Sequence, residues 1–165
     1  MLLLMFACSG KYPATGRSIE TNAERDDKNM DDMQSCLEIL RENDVDVDTA
    51  VDRLMGHDEL YLEFIKRLPE ELNLAAIREA LNQQDAESFH FYLHGLKGFA
   101  SNLGITEIAD AAQAGLIEFR ATQFRNTTKL EGLLEEIEAS GEKFSSALGE
   151  IAEIEHAAEE SETTT

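Results

Sequence analysis

Positive charge is scarce in this chain. Fourteen Lys and Arg stand against thirty-four Asp and Glu in 165 residues, a formal charge of -20. Nucleic acids and anionic membranes bind through basic surfaces, so both are excluded as partners. There are only two prolines, and with 42% hydrophobic residues the composition fits a helical protein with a real core in a single domain. Cysteine is nearly absent: Cys8 and Cys36 form neither a metal spacing nor a disulfide framework, which suits a reducing cytoplasm. No stretch approaches the ~18 apolar residues of a membrane span. The apolar run Leu2 to Cys8 faintly resembles a lipoprotein signal. It lacks a basic start and is shorter than the ~7–15 residues of a secretory core, so a cytoplasmic protein is expected. There is no Gly-rich phosphate loop, no alternating strand pattern and no repeat of fixed period.

What remains is a succession of helical patterns. Residues 1–30, with Gly10, Pro13 and Gly16 followed by a polar run, read as a disordered or loosely attached leader. From Asp31, the positions Met33, Cys36, Leu37 and Leu40 repeat at helical spacing as far as Asn43. A short helix after Asp48, using Val51 and Leu54, stops at Gly56. Asp58 is placed to cap a first long helix with Leu60, Tyr61, Phe64 and Leu68 inside, and Pro69 should kink or break it. Its stripe resumes at Leu72, Ala76, Ala80 and Leu81. Asp85 caps the next helix, which ends at Asn102 and Gly104. Thr106 caps another, with Ile108, Ala109, Ala112, Leu116 and Phe119 inside. The last runs from about Thr128 through Leu130, Leu133, Leu134, Ile137, Phe144, Leu148 and Ile151, weakened locally at Gly132, Gly141 and Gly149. The tail from Ala157 has nothing to bury and is expected to fray. The fold class expected is all-α, an antiparallel four-helix bundle with short extra N-terminal helices. It spans 31–155, with an acidic disordered tail over 156–165.

The helix from His90 to Gly104 separates into two faces. Phe89, Tyr92, Leu93, Leu96, Phe99, Ala100 and Leu103 fall on one side. Opposite them stands His94, with His90 a turn before it and Lys97, Gly98 and Ser101 after it. No acidic residue lies between His90 and Gly104, which makes this face a neutral-to-basic island on an acidic body. Gly98 in a helix interior costs ~1 kcal/mol relative to alanine, and Gly95 adds a similar cost. Two such costs beside a displayed imidazole point to something that must approach the backbone closely.

The run His94-x-Leu96-Lys97-Gly98, followed by Leu103-Gly104, resembles the signature of histidine-containing phosphotransfer (HPt) domains, the helical carriers of multistep phosphorelays. The resemblance extends from about Val47 to about Ile151. It also takes in the Asp58-Glu59-Leu60-Tyr61 start, the Phe64 and Pro69 region, and Ala80-Leu81 before Asp85. One departure is Phe99, where the family often has a small residue; on the buried side of the wheel it reads as a packing variation. The resemblance implies short leading helices lying across one end of the bundle.

It also implies a phosphocarrier of a two-component system. His94 would be the phosphoacceptor and Lys97 would stabilise charge on the phosphoryl group, while His90, Phe91, Gly98 and Ser101 border the surface where a partner docks. An unprotonated imidazole is a good nucleophile near neutral pH and needs no activating base, which suits reversible attack on a phosphoaspartate. The partners implied are response-regulator receiver domains and a hybrid sensor histidine kinase. The chain is expected to be a monomer with no ATP site and no cofactor of its own, Mg2+ belonging to the receiver. Two other readings stand beside this one. The same face could bind and sequester a receiver without transfer. Alternatively His90 and His94, at i and i+4, could chelate a metal with Glu87 as a third ligand.

Overall fold

The computed structural model describes residues 22–163, with side chains from 29 to 160. The expected leader, Cys8 and the apolar N-terminus largely lie outside the described residues. The architecture is all-α, and no strand occurs among the described residues. In order, the helices are α1 (Asn22–Glu42), α2 (Val47–Arg53), α3 (Asp58–Ile65), α4 (Leu68–Glu71), α5 (Leu74–Gln83), α6 (Ala86–Asn102), α7 (Thr106–Thr122) and α8 (Thr127–Thr163). A 3-10 turn over Gln123–Asn126 joins the last two.

Short connections make α5, α6, α7 and the first half of α8 an antiparallel ring: α5 packs on α6, α6 on α7, α7 on α8, and α8 returns to α5. Most of the expected inner positions are buried, but Leu60 of α3 is exposed and Phe64, Leu72, Ala76, Leu133 and Leu148 are half-buried. Phe89, Leu93, Leu96 and Ala100 of α6 meet Ile108, Ala112, Leu116 and Phe119 of α7 and Leu130, Leu134 and Ile137 of α8 in one continuous core. Phe89, Phe119 and Phe124 close one end, with ring centroids 5.1–5.8 Å apart. At 37 residues α8 is ~55 Å long. Its second half leaves the ring and packs on α1, where Lys143 bridges Asp44 and Glu107, and Lys66, just past α3, pairs with Glu155.

Several element boundaries differ from expectation. Helix α1 begins at Asn22 rather than Asp31, and its 21 residues make it a full-length helix along α8, not a short piece. Asp46, not Asp48, caps α2 by accepting from the Thr49 amide. His57 and Ile105 occupy the cap positions expected of Asp58 and Thr106, and neither makes a side-chain cap bond; Asp58 and Thr106 are the first helical residues. The long helix expected across Pro69 is three pieces. Pro69 sits in the first turn of α4, where its missing N–H is no loss. The chain breaks instead at Lys66–Arg67 and at Asn73, whose φ of 36° is left-handed. Helix α8 runs on to Thr163, past Ala157, where the tail is expected to fray. Gly141 does not interrupt α8 either; a side chain there would press on Leu72 at 2.9 Å, so the glycine lets the α4–α5 corner close against the helix.

Candidate functional site

Helix α6 is held at both ends. Gln84 adopts left-handed φ of 53° to end α5, and the Asp85 carboxylate then accepts from the Ser88 amide at 3.2 Å to start α6. Hydrogen bonding from Ser88, its side chain first and its amide second, holds the exposed Asp85 carboxyl below the usual range. At the other end three groups from the preceding segment satisfy its terminal carbonyls. Arg53 donates to the Ser101 carbonyl at 2.6 Å, placing a cation where the helix dipole favours one. Buried Tyr61 donates to the Leu103 carbonyl at 3.0 Å, and the Asp46 amide donates to that of Gly104 at 2.9 Å. Gly104 has φ of 75°, and any Cβ there would collide with the Asp46 carbonyl, so only glycine lets the two segments meet.

Between these anchors α6 turns one face outward. His94 and Gly95 are exposed; His90, Lys97, Gly98 and Ser101 are half-buried. Phe91 is 70% exposed, large for a phenylalanine in a helix otherwise well packed on its inner side. Of the seven residues expected inside, Phe89, Leu93, Leu96, Ala100 and Leu103 are buried, while Tyr92 and Phe99 are half-buried. Phe99 therefore packs at the edge of the core instead of within it, and together with Phe91, His94, Gly95 and Gly98 it lines an open concavity beside Glu70, Glu71 and Asn73. A Cβ on Gly95 or Gly98 would meet nothing within 4 Å. Neither glycine is required by packing among the described residues.

The charge on this face is as unusual as its shape. From Ser88 to Thr106 there is no acidic residue. Arg41, Lys66, Arg67, Arg78, Lys129 and Lys143 each pair with a carboxylate, whereas Lys97, like Arg53, Arg120 and Arg125, pairs with none among the described residues. The imidazoles of His90 and His94 lie nearly parallel, 9° between planes with centroids 5.6 Å apart. No three His, Cys, Asp or Glu side chains gather as a metal site among the described residues, so this pair gains no third ligand from Glu87 or elsewhere.

Three supports of the site were not anticipated from sequence. Arg53 and Tyr61 reach α6 across more than forty residues. Glu118, nearly buried in α7, accepts from Lys129 at 2.6 Å and Asn126 at 3.0 Å, tying the turn after α7 to α8. Lys129 in particular holds its carboxyl below the usual range. A glutamate among the apolar positions of a helix is the signal that marks such a tie.

The bundle thus displays the exposed His94 imidazole on the same face as Lys97, which has no carboxylate partner among the described residues, with open space over Gly95 and Gly98. The family model of the Hpt domain matches residues 59–143, more than half of the chain. The protein belongs to the Hpt-domain family, whose members pass phosphoryl groups in phosphorelays and interact with receiver domains and kinases. The match runs from α3 to the point where α8 leaves the four-helix ring, and so includes all of α6. No curated protein and no solved structure matches the chain significantly. No helix among the described residues is long and apolar enough to cross a membrane.

Proposed function

We propose that His94 accepts a phosphoryl group from the phosphoaspartate of one receiver domain and passes it to the aspartate of another. The observation that carries this reading is the exposed His94 imidazole beside unpaired Lys97, with open space over Gly95 and Gly98. The lone pair of an unprotonated ring nitrogen attacks phosphorus. An N–P bond forms as the P–O bond to the aspartate breaks, and the carboxylate leaves with the electron pair. The proton on the other ring nitrogen stays with the chain. Lys97 offers its charge to the equatorial oxygens, which carry the charge of the transition state. Mg2+ comes with the receiver, as do the acidic residues that hold it, since α6 carries no carboxylate from Ser88 to Asn102.

The remaining site residues serve docking. Gly98 leaves room for the receiver's loops, Phe91 offers an apolar contact, and His90 and Ser101 border the surface. The partners are response-regulator receiver domains and a hybrid sensor histidine kinase, and the protein works as a cytoplasmic monomer. Mixing it with a phosphorylated receiver tests this reading. Transfer of label to this chain supports a carrier. Stable binding with the label retained on the receiver would make it a sequestering module instead.

A further inference from the structure

His90 stands one helical turn before His94, and its role is open to a closer reading than that of a border residue. Neither imidazole has a hydrogen bond or an ion pair among the described residues, so nothing polar fixes the plane of the His94 ring. The torsion that sets that plane is intrinsically broad. What touches the ring is the His90 imidazole, nearly parallel to it at 5.6 Å, within the range of offset aromatic stacking. His90 is itself half-buried, lining the concavity with Phe119 and Gln123, whereas His94 is exposed. The more restrained ring therefore backs the freer one.

In-line transfer requires the attacking nitrogen, the phosphorus and the leaving oxygen to align, and a freely turning ring meets that condition only part of the time. We infer that His90 is a positioning residue whose flat ring stacks against His94 and holds the imidazole plane for attack, independently of its own nitrogens. The inference rests on the reading of His94 as the phosphoacceptor. It commits to ring shape over charge or metal binding, and to the rate of transfer over the affinity of docking.

The test compares wild type with His90→Ala, His90→Phe and His94→Gln in single-turnover transfer from a phosphorylated receiver, across receiver concentrations. His90→Ala is expected to slow the rate at saturating receiver by about three- to tenfold, a larger change than any in the half-saturating concentration. His90→Phe, which keeps a flat ring, is expected to return the rate to within about twofold of wild type. Side-chain NMR relaxation of the His94 ring should show greater mobility in His90→Ala and not in His90→Phe. A wild-type rate in His90→Ala would overturn the inference, as would a His90→Phe variant as slow as His90→Ala. A change confined to the half-saturating concentration would return His90 to docking alone. His94→Gln separates the two levels: label still accepted by that variant would overturn the phosphoacceptor reading itself, whatever the His90 variants do.

Discussion

Replacing Gly98 should move stability and transfer in opposite directions. A methyl added there meets no atom within 4 Å, so no steric cost offsets the gain in helix propensity. Gly98→Ala should therefore stabilise the protein by up to ~1 kcal/mol, or ~2–4 °C in Tm for a chain of this size. Gly98→Gln should also melt no lower than wild type, because glutamine is a good helix former. Its side chain, however, stands where a receiver must approach the backbone beside His94. Overpacking a tight contact costs ~1–3 kcal/mol, which corresponds to roughly five- to hundredfold in transfer efficiency. Gly104 is the contrast. Its φ of 75° and the collision of any Cβ with the Asp46 carbonyl predict that Gly104→Ala loses at least ~2 kcal/mol of stability. Thermal melts and single-turnover transfer on the same samples provide both readings. A Gly98→Gln variant that transferred phosphate at the wild-type rate, or a Gly98→Ala variant that melted below wild type, would refute the clearance argument.

Lys97→Ala should slow transfer without abolishing it, by up to about thirtyfold at low salt and less as salt screens a charge this close to solvent. Lys97→Arg should retain more activity, and equal rates for all three proteins would reduce Lys97 to an ordinary surface lysine. Phe91→Ala should raise the half-saturating receiver concentration several-fold while leaving stability within ~0.5 kcal/mol, because the ring is 70% exposed; an unchanged titration would remove Phe91 from the docking surface. Tyr61→Phe should cost ~1–2 kcal/mol by orphaning the Leu103 carbonyl. Burial, aided by the charge of Asp46, holds the Tyr61 hydroxyl well above its ordinary 10.0. The unfolded chain then releases a proton that the folded state keeps, so the stability of wild type falls as pH rises above 10. Denaturant titrations on either side of that pH should show the gap between wild type and Tyr61→Phe narrowing, and a constant gap would contradict the buried, protonated hydroxyl.

The outward face of α6 was legible because helical spacing alone places His94, Lys97 and Gly98 opposite Leu93, Leu96 and Ala100. Patterning of this kind also gave the buried stripes of α7 and α8, where a single period runs unbroken. It was less informative for α3 to α5. Pro69 marks a break but does not say on which side the chain turns, and the left-handed Asn73 has no propensity signal strong enough to place it. The caps at His57 and Ile105 could not be read because neither residue caps through its side chain, while Asp58 and Thr106 beside them look as though they should. The tail is a different case. Its acidic composition argues for disorder, yet it continues a helix already nucleated by Phe144, Ala147 and Ile151. Least legible were Arg53 and Tyr61, since their role as anchors of α6 exists only once the chain has folded back on itself.

The most direct test of the phosphoacceptor is the fate of label in His94→Gln. A side chain this exposed contributes little to packing, so the variant should fold and melt like wild type. Incubated with a phosphorylated receiver, wild type should acquire acid-labile, base-stable label and His94→Gln none. Label of that chemistry appearing on the variant at the wild-type level would show that the phosphoryl group is carried elsewhere.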